Sequence, residues 1–170
     1  MKRIALLSDT HNYWDERYEA DFAHCDEIWH AGDFCAPWIA DRLNAIAPLR
    51  AVYGNGDGSE LRRMFPEILR FQCEGVDVMI KHIGGYPGLY DRSVRTQLIA
   101  HPPQLFIAGH SHILKVMRDP QLNLLHLNPG AAGLQGWHQK RTFMRFTIDN
   151  GNVCDLEIVE RPKKAEDACL

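Results

Sequence analysis

The chain has 170 residues, 45% hydrophobic and 24% charged, with a formal net charge of −3. That length and apolar content suffice for one folded core. Lys2-Arg3, Arg62-Arg63 and Lys163-Lys164 are isolated basic pairs and no basic stripe joins them, so a nucleic-acid backbone is not an expected partner. No apolar stretch is long enough to span a membrane, no secretory segment opens the chain, and the five cysteines are odd in number and irregularly spaced, so a reducing cytoplasm is the expected compartment.

In chain order, the apolar run Ile4 to Leu7 predicts a short buried strand that stops at Ser8-Asp9. Helical signals over Trp14 to Phe22 precede a second strand at Ile28-Trp29, which runs into His30-Ala31-Gly32-Asp33. A helix is predicted from Pro37 to Ile46, with Pro in its first turn and Pro48 as its stop. Ala51-Val52-Tyr53 reads as a strand ending at Gly54-Asn55, followed by a short helix over Ser59 to Met64. Ile68 to Gln72 and Val76 to Ile80 flank Glu74-Gly75 as a hairpin, whose second arm leads to Lys81-His82. The segment Gly84-Gly85-Tyr86-Pro87-Gly88 is either a rim of the site or a plain connection. A helix over Tyr90 to Ala100 closes at Pro102-Pro103, and Leu105 to Ala108 forms a strand before Gly109-His110. Leu124 to Leu127, Thr142 to Ile148 and Val153 to Val159 are late strands, the last two joined by Asp149-Asn150-Gly151. Residues 1–162 are expected to form one domain and 163–170 a loose tail. Early βα units and late hairpins favour two sheets packed face to face with helices outside, and one larger mixed sheet also satisfies the periodicity.

Five strand ends thus carry polar or glycine-rich turns, and in open α/β sheets the ligand crevice lies beyond the carboxyl ends of the strands. Asp9 and His11, and likewise His110 and His112, are two residues apart and in an extended segment would point to one side, so each pair is able to chelate. A donor set of carboxylate, imidazole and amide oxygen suits Mn, Fe, Zn, Co or Ni better than Ca. No cysteine falls in the pattern. Cys35, two residues after Asp33, is expected to be an inert buried thiol. His24, His101 and His126 have no such placement and are assigned to structure or surface.

The five blocks Asp9-Thr10-His11, Gly32-Asp33, Gly54-Asn55-Gly56-Asp57, His82 and Gly109-His110-Ser111-His112 follow the order D-x-H, G-D, G-N-x-D/E, H and G-H-x-H. In this the chain resembles the calcineurin-like metallophosphoesterases. Leu127-Asn128-Pro129-Gly130 and the short length are similar to the small bacterial and archaeal phosphodiesterase branch. The resemblance implies a four-layer α/β/β/α sandwich of two mixed sheets flanked by helices. It also implies two divalent transition metals, Mn first among them and Ni, Co, Fe or Zn as alternatives. Asp9, His11, Asp33 and His112 would surround one, and Asp33, Asn55, His82 and His110 the other, with Asp33 as the bridge between cations about 3.5–4 Å apart.

The chemistry so implied is phosphate-ester hydrolysis by water acidified between two cations, with no protein nucleophile. The best-known members carry His after the Asn as a proton donor, and this chain has Gly56. Loss of a general acid commonly removes about a hundredfold or more in rate. His30, Asp57 and His138 are the candidate replacements. Each is set against a structural reading: a core or sheet-face imidazole for His30, a turn-former for Asp57, a surface loop residue for His138. A small phosphodiester, organic or nucleotide-like, is the expected substrate. A phosphomonoester is the alternative, disfavoured because the sequence places no convincing cation beside the motifs. A protein-binding scaffold, as in the retromer subunit that resembles this family, would predict eroded ligands, whereas every family metal position is filled here. Self-association through the late strands is compatible with all of these readings.

Overall fold

The computed structural model describes residues 1–163, so the expected loose tail lies outside the described residues apart from Lys163. The first elements are β1 (Lys2–Leu7), α1 (Tyr18–Phe22), β2 (Glu27–His30), α2 (Pro37–Ile46), β3 (Leu49–Ala51) and α3 (Ser59–Met64). Next come the hairpin β4 (Ile68–Cys73) and β5 (Val76–Lys81), the ribbon β6 (Gly85–Tyr86) and β7 (Leu89–Tyr90), α4 (Arg92–Ala100) and β8 (Leu105–Ile107). The chain closes with β9 (Leu114–Asp119), β10 (Leu124–Pro129), β11 (Lys140–Asp149) and β12 (Asn152–Pro162). One five-stranded sheet runs β12-β11-β1-β2-β3 and the other β4-β5-β8-β10-β9.

Successive side chains on a strand point to opposite faces, and here both faces are covered, so the strands read as unbroken apolar runs. In β1, Leu6 joins Trp29, Val78, Ile80, Ile107 and Leu127 in a core between the sheets. Its neighbour Leu7 joins Tyr18, Phe22, Ile39 and Leu43 beneath α1 and α2. On the other sheet, Met79, Phe106 and Leu124 pack under Val94 and Leu98 of α4. The layers are therefore helix, sheet, sheet, helix, and the α/β/β/α sandwich replaces the single mixed sheet that periodicity had left open.

Among the differences from the sequence reading are two element starts and one whole strand, and α4 also begins at Arg92 rather than Tyr90 and β11 at Lys140 rather than Thr142. α1 begins at Tyr18 rather than Trp14, because Asp15 turns the chain ahead of it: its carboxylate accepts from Arg17 N at 3.1 Å and its carbonyl from Tyr18 N at 2.9 Å. β3 begins at Leu49, so Val52 and Tyr53 lie beyond the strand and carry the chain toward Gly54. β9 escaped notice; its alternating Leu114–Asp119 pairs antiparallel with β10 along an edge. The pairs β1–β2, β2–β3, β5–β8 and β8–β10 are parallel. Parallel pairing aligns the carboxyl ends of their strands, and the candidate ligands follow those ends.

One part-buried ionic cluster ties the first sheet together. Glu27 on β2 accepts from Lys2 Nζ at 2.5 Å, Trp29 Nε1 at 2.9 Å and Arg50 Nε at 2.7 Å. Burial pushes its carboxyl pKa up, but the hydrogen bonds from Arg50, Lys2 and Trp29 outweigh it and hold the group down at about 2, against an ordinary 4.5. A depressed folded-state pKa adds stability that is complete above the ordinary value and is lost as pH falls through about 2. Glu27→Gln should cost about 1–3 kcal/mol at neutral pH and flatten the acid limb of a stability-versus-pH curve measured by urea unfolding.

Candidate metal centre

The loops after β1 and β2 are laced together by main-chain hydrogen bonds, Asp9 N to Gly32 O and His11 N to Asp33 O, both at 3.0 Å. Asp9, His11, Asp33, His110 and His112 have φ of +54°, +45°, +60°, +66° and +57°. The two D-x-H and H-x-H pairs are thus not extended, as their spacing had suggested. They chelate because left-handed turns swing each pair onto one point. Non-glycine residues in this region cost of order 1–3 kcal/mol each and persist only where their surroundings enforce them. Two glycines permit the close approach. A Cβ on Gly54 would lie 2.1 Å from Asp33 Oδ1, and one on Gly109 2.2 Å from Ser8 Oγ.

Each carboxylate is anchored by one oxygen and offers the other. Asp9 Oδ2 accepts from Ser8 Oγ at 2.6 Å and His110 N at 3.0 Å, and Asp33 Oδ1 accepts from Gly56 N at 2.7 Å. Asp9 Oδ1 then sits 3.1 Å from His112 Nε2, and Asp33 Oδ2 lies 3.3 Å from His82 Nε2 and 3.8 Å from His11 Nε2. His82 Nδ1 donates to Ala31 O at 2.7 Å, which turns the lone pair of Nε2 inward, 3.1 Å from Asn55 Oδ1. The Nε2 atoms of His11 and His112 are 3.1 Å apart, so at least one presents a lone pair. The His110 ring meets that of His82 edge to face at 5.3 Å. A buried Asp9 would be pushed toward its neutral form, but the histidines His11, His112 and His82, with Ser8, hold its carboxyl well below the usual range. Burial likewise opposes charge on His82, yet the adjacent Asp33 and Asp9 carboxylates raise its pKa.

Acceptors turned toward one another in this way fit a divalent cation. Two triplets have ligand atoms within cation reach, Asp9-His11-His112 and Asp9-Asp33-His82. Asp9 is common to both, whereas the sequence resemblance assigned the shared role to Asp33. Asp33 Oδ2 still faces histidines of both sets.

Residues 1–151 match the family model of the calcineurin-like phosphoesterase superfamily domain. The chain belongs to that superfamily. It is 31% identical over 166 residues to a probable metallophosphoesterase of Methanothermobacter thermautotrophicus, covering 92% of this chain and 91% of that protein. The solved structure of an archaeal phosphodiesterase superposes with a TM-score of 0.72 at 18% identity, covering 93% and 99% of the two chains. Vps29 of Entamoeba histolytica gives 0.71 at 17% identity, covering 93% and 98%. These two likenesses concern the fold. Membership makes this a phosphoester hydrolase of a metal-dependent superfamily.

Within this calcineurin-like fold, the three candidate acids lie in different surroundings. His30 is fully buried and stacks on Phe34 at 3.6 Å. Its Nδ1 accepts from Gly32 N and its Nε2 bonds Thr10 Oγ1, both at 3.1 Å, so it ties together the two ligand-bearing loops and has no free nitrogen for a leaving group. Burial holds its pKa down at about 3. Asp57 is also buried; it accepts from Asp33 N at 3.0 Å, Cys35 N at 2.7 Å and Gly54 N at 2.8 Å, and shapes the turn that carries Asp33. His138 packs against the His112 ring at 5.3 Å while Nε2 donates to Gly133 O at 2.9 Å. Cys35 is exposed rather than buried. Its Sγ lies 3.3 Å from His11 Nδ1, and partial burial with the nearby Asp33, Asp57 and Asp9 charges pushes its pKa up to about 11.

Several contributors were given no role in the sequence reading. Ser8 orients Asp9, and Asn128 holds the histidine loop by donating to Gly109 O at 2.9 Å. The absence of a nearby cation is also corrected. A cleft of about 420 Å3 beside Asn55 and His82 is lined by Tyr53, Arg62 and Lys81. Arg62 donates to Asp57 O at 2.7 Å and Asn55 O at 3.2 Å and lies 4.8 Å over the Tyr53 ring. Its pairing with the site arises from α3 folding back, which spacing could not indicate. The Gly84–Gly88 segment contributes to ribbon β6–β7, which walls another cleft reaching His110. Asp57→Ala strands three N–H groups, two of them buried, and should cost about 2–4 kcal/mol in urea titration, together with loss of bound metal in dialysed protein. His138→Ala should cost less than about 1 kcal/mol.

Proposed function

We propose that this chain is a phosphodiesterase for a small organic or nucleotide-like diester, acting with two divalent transition cations, Mn first among them. The carrying observation is the convergence of Asp9 Oδ1, Asp33 Oδ2, Asn55 Oδ1 and the Nε2 atoms of His11, His82 and His112 at separations of 3.1–3.9 Å. Asp9, His11, Asp33 and His112 would hold one cation and Asp33, Asn55, His82 and His110 the other. When bound, such cations polarise phosphoryl oxygens and acidify water. The free cysteines Cys25, Cys35, Cys73 and Cys154 fit a reducing cytoplasm.

The chain's own groups set the remaining steps. Arg62 and Lys81 place positive charge in the cleft beside Asn55 and His82, although Lys81 is neutralised by Glu67 at 2.5 Å. Gly56 offers only its N–H, which is committed to Asp33. With His30 and Asp57 occupied in holding loops, and the one ring proton of neutral His138 given to Gly133 O, none of the three candidates among the described residues stands ready to protonate the leaving oxygen. The enzyme should therefore favour esters whose leaving groups need little protonation. A second reading, a phosphomonoesterase, is favoured by Arg62, which makes no ion pair among the described residues and would suit the extra charge of a monoester.

Metal-stripped protein reloaded with Mn, Ni, Co, Zn or Mg should hydrolyse bis(p-nitrophenyl) phosphate faster than p-nitrophenyl phosphate, and His110→Ala should lose about a hundredfold or more. A faster monoester would select the second reading, and absence of metal uptake would move the chain to a non-catalytic role. Across aryl and alkyl diesters, turnover should fall steeply as the leaving group becomes more basic. A flat dependence would mean that an acid is present after all.

A further inference from the structure

Besides the Arg62 cleft, an opening of about 530 Å3 runs from His110 and His112 to Ile113, His138 and Trp137. The two differ in chemistry. Arg62, Glu67, Lys81 and Asp91 line the first, whereas among the described residues no Lys, Arg, Asp or Glu lines the second. Trp137 is 98% exposed and Ile113 56% exposed. An indole left in water is unusual, since its ring is among the largest apolar surfaces a chain can bury.

The loop that carries Trp137 is held against the metal-facing histidines on both sides of it. Before it, Gly136 has φ +115°, and a Cβ there would lie 2.3 Å from His112 Nδ1. The Gly136 carbonyl also accepts from Lys163 Nζ. After it, His138 packs edge to face on His112 at 5.3 Å and bonds Gly133 O. The backbone that carries the indole is therefore held at a set place, and the exposed ring projects from the wall of a cleft that opens onto His110 and His112.

We infer that Trp137 is a specificity residue that stacks on a flat, uncharged aromatic or heterocyclic arm of the ester. The charged Arg62 cleft serves the polar part of the substrate. This inference rests on the phosphodiesterase reading for its kinetics but not for its binding. A diester carries two arms, and two clefts of opposite character flank the ligand set. A planar arm gains most from an aromatic wall, because base–aromatic stacking tolerates any ring with a π-face.

Two measurements on the full chain test it. In the first, adenosine monophosphate is titrated into metal-loaded protein while tryptophan fluorescence is followed. Quenching is expected in the wild type and should be lost in Trp137→Ala. By isothermal titration Trp137→Ala should bind about 5- to 150-fold more weakly, with Trp137→Phe retaining most of the affinity. In the second, Trp137→Ala should raise KM by about tenfold for a nucleoside p-nitrophenyl diester and by far less for methyl 2,2,2-trifluoroethyl phosphate, which carries no ring to stack.

Equal changes for both diesters, or unchanged adenosine monophosphate affinity, would overturn the assignment. So would a Trp137→Ala protein that sediments as a smaller species while binding the nucleotide normally, because Trp137 would then be a contact between copies. Quenching through Trp137 without turnover of either diester would sink the phosphodiesterase reading and leave the stacking role standing.

Discussion

The structure depends on one electrostatic constraint: buried acceptors have been made to face each other. Asp9 and Asp33 are buried carboxylates less than 4 Å from the same histidines, and His82 is oriented so that its lone pair joins them. Such a cluster repels itself unless protons or cations occupy its centre. Every surrounding feature either holds an acceptor in place or supplies a donor to the oxygen that does not face the centre. Ser8, the His110 amide and the Gly56 amide perform the second task.

Holding the acceptors requires a backbone that the residues themselves resist. The left-handed conformations at five of the seven candidate ligands are enforced by neighbouring order: parallel strands on either side, His30 beneath, and Asp57 with three amide hydrogens. The apolar runs of the central strands pack on both faces and supply the stability that offsets this local strain. His30 and Asp57 thus belong to the support of the site rather than to proton transfer. Their burial, which would suggest tuned acids from sequence proximity alone, is what makes them rigid.

Around this rigid centre the chain places clefts of different character. The charged one owes Arg62, its cation outside an ion pair among the described residues, to α3, and the other owes its Trp137 wall to the loop between β10 and β11. Neither α3 nor that loop bears a candidate ligand, so substrate preference is able to vary while the ligand set remains constant.

Much of this was legible along the chain. Apolar runs that end in Asp, His or Gly turns reveal strand ends without any structure, because a buried strand must stop where polar groups begin. The order of the five motifs carried the sandwich and the ligand set by resemblance. The edge strand β9 was missed because its mixed sequence follows directly on the histidine motif, and α1 was placed too early because Asp15, also paired with the distant Arg141 and Arg161, turns the chain through Arg17 and Tyr18. Local sequence therefore determined which residues are chemically able to serve. Tertiary structure decided that Asp9 is common to both triplets, that Cys35 is exposed, that Arg62 reaches Asn55 and that Trp137 stands beside His112. Those outcomes depend on the direction in which a side chain leaves a turn and on contacts between segments distant in sequence, and neither quantity is encoded in spacing.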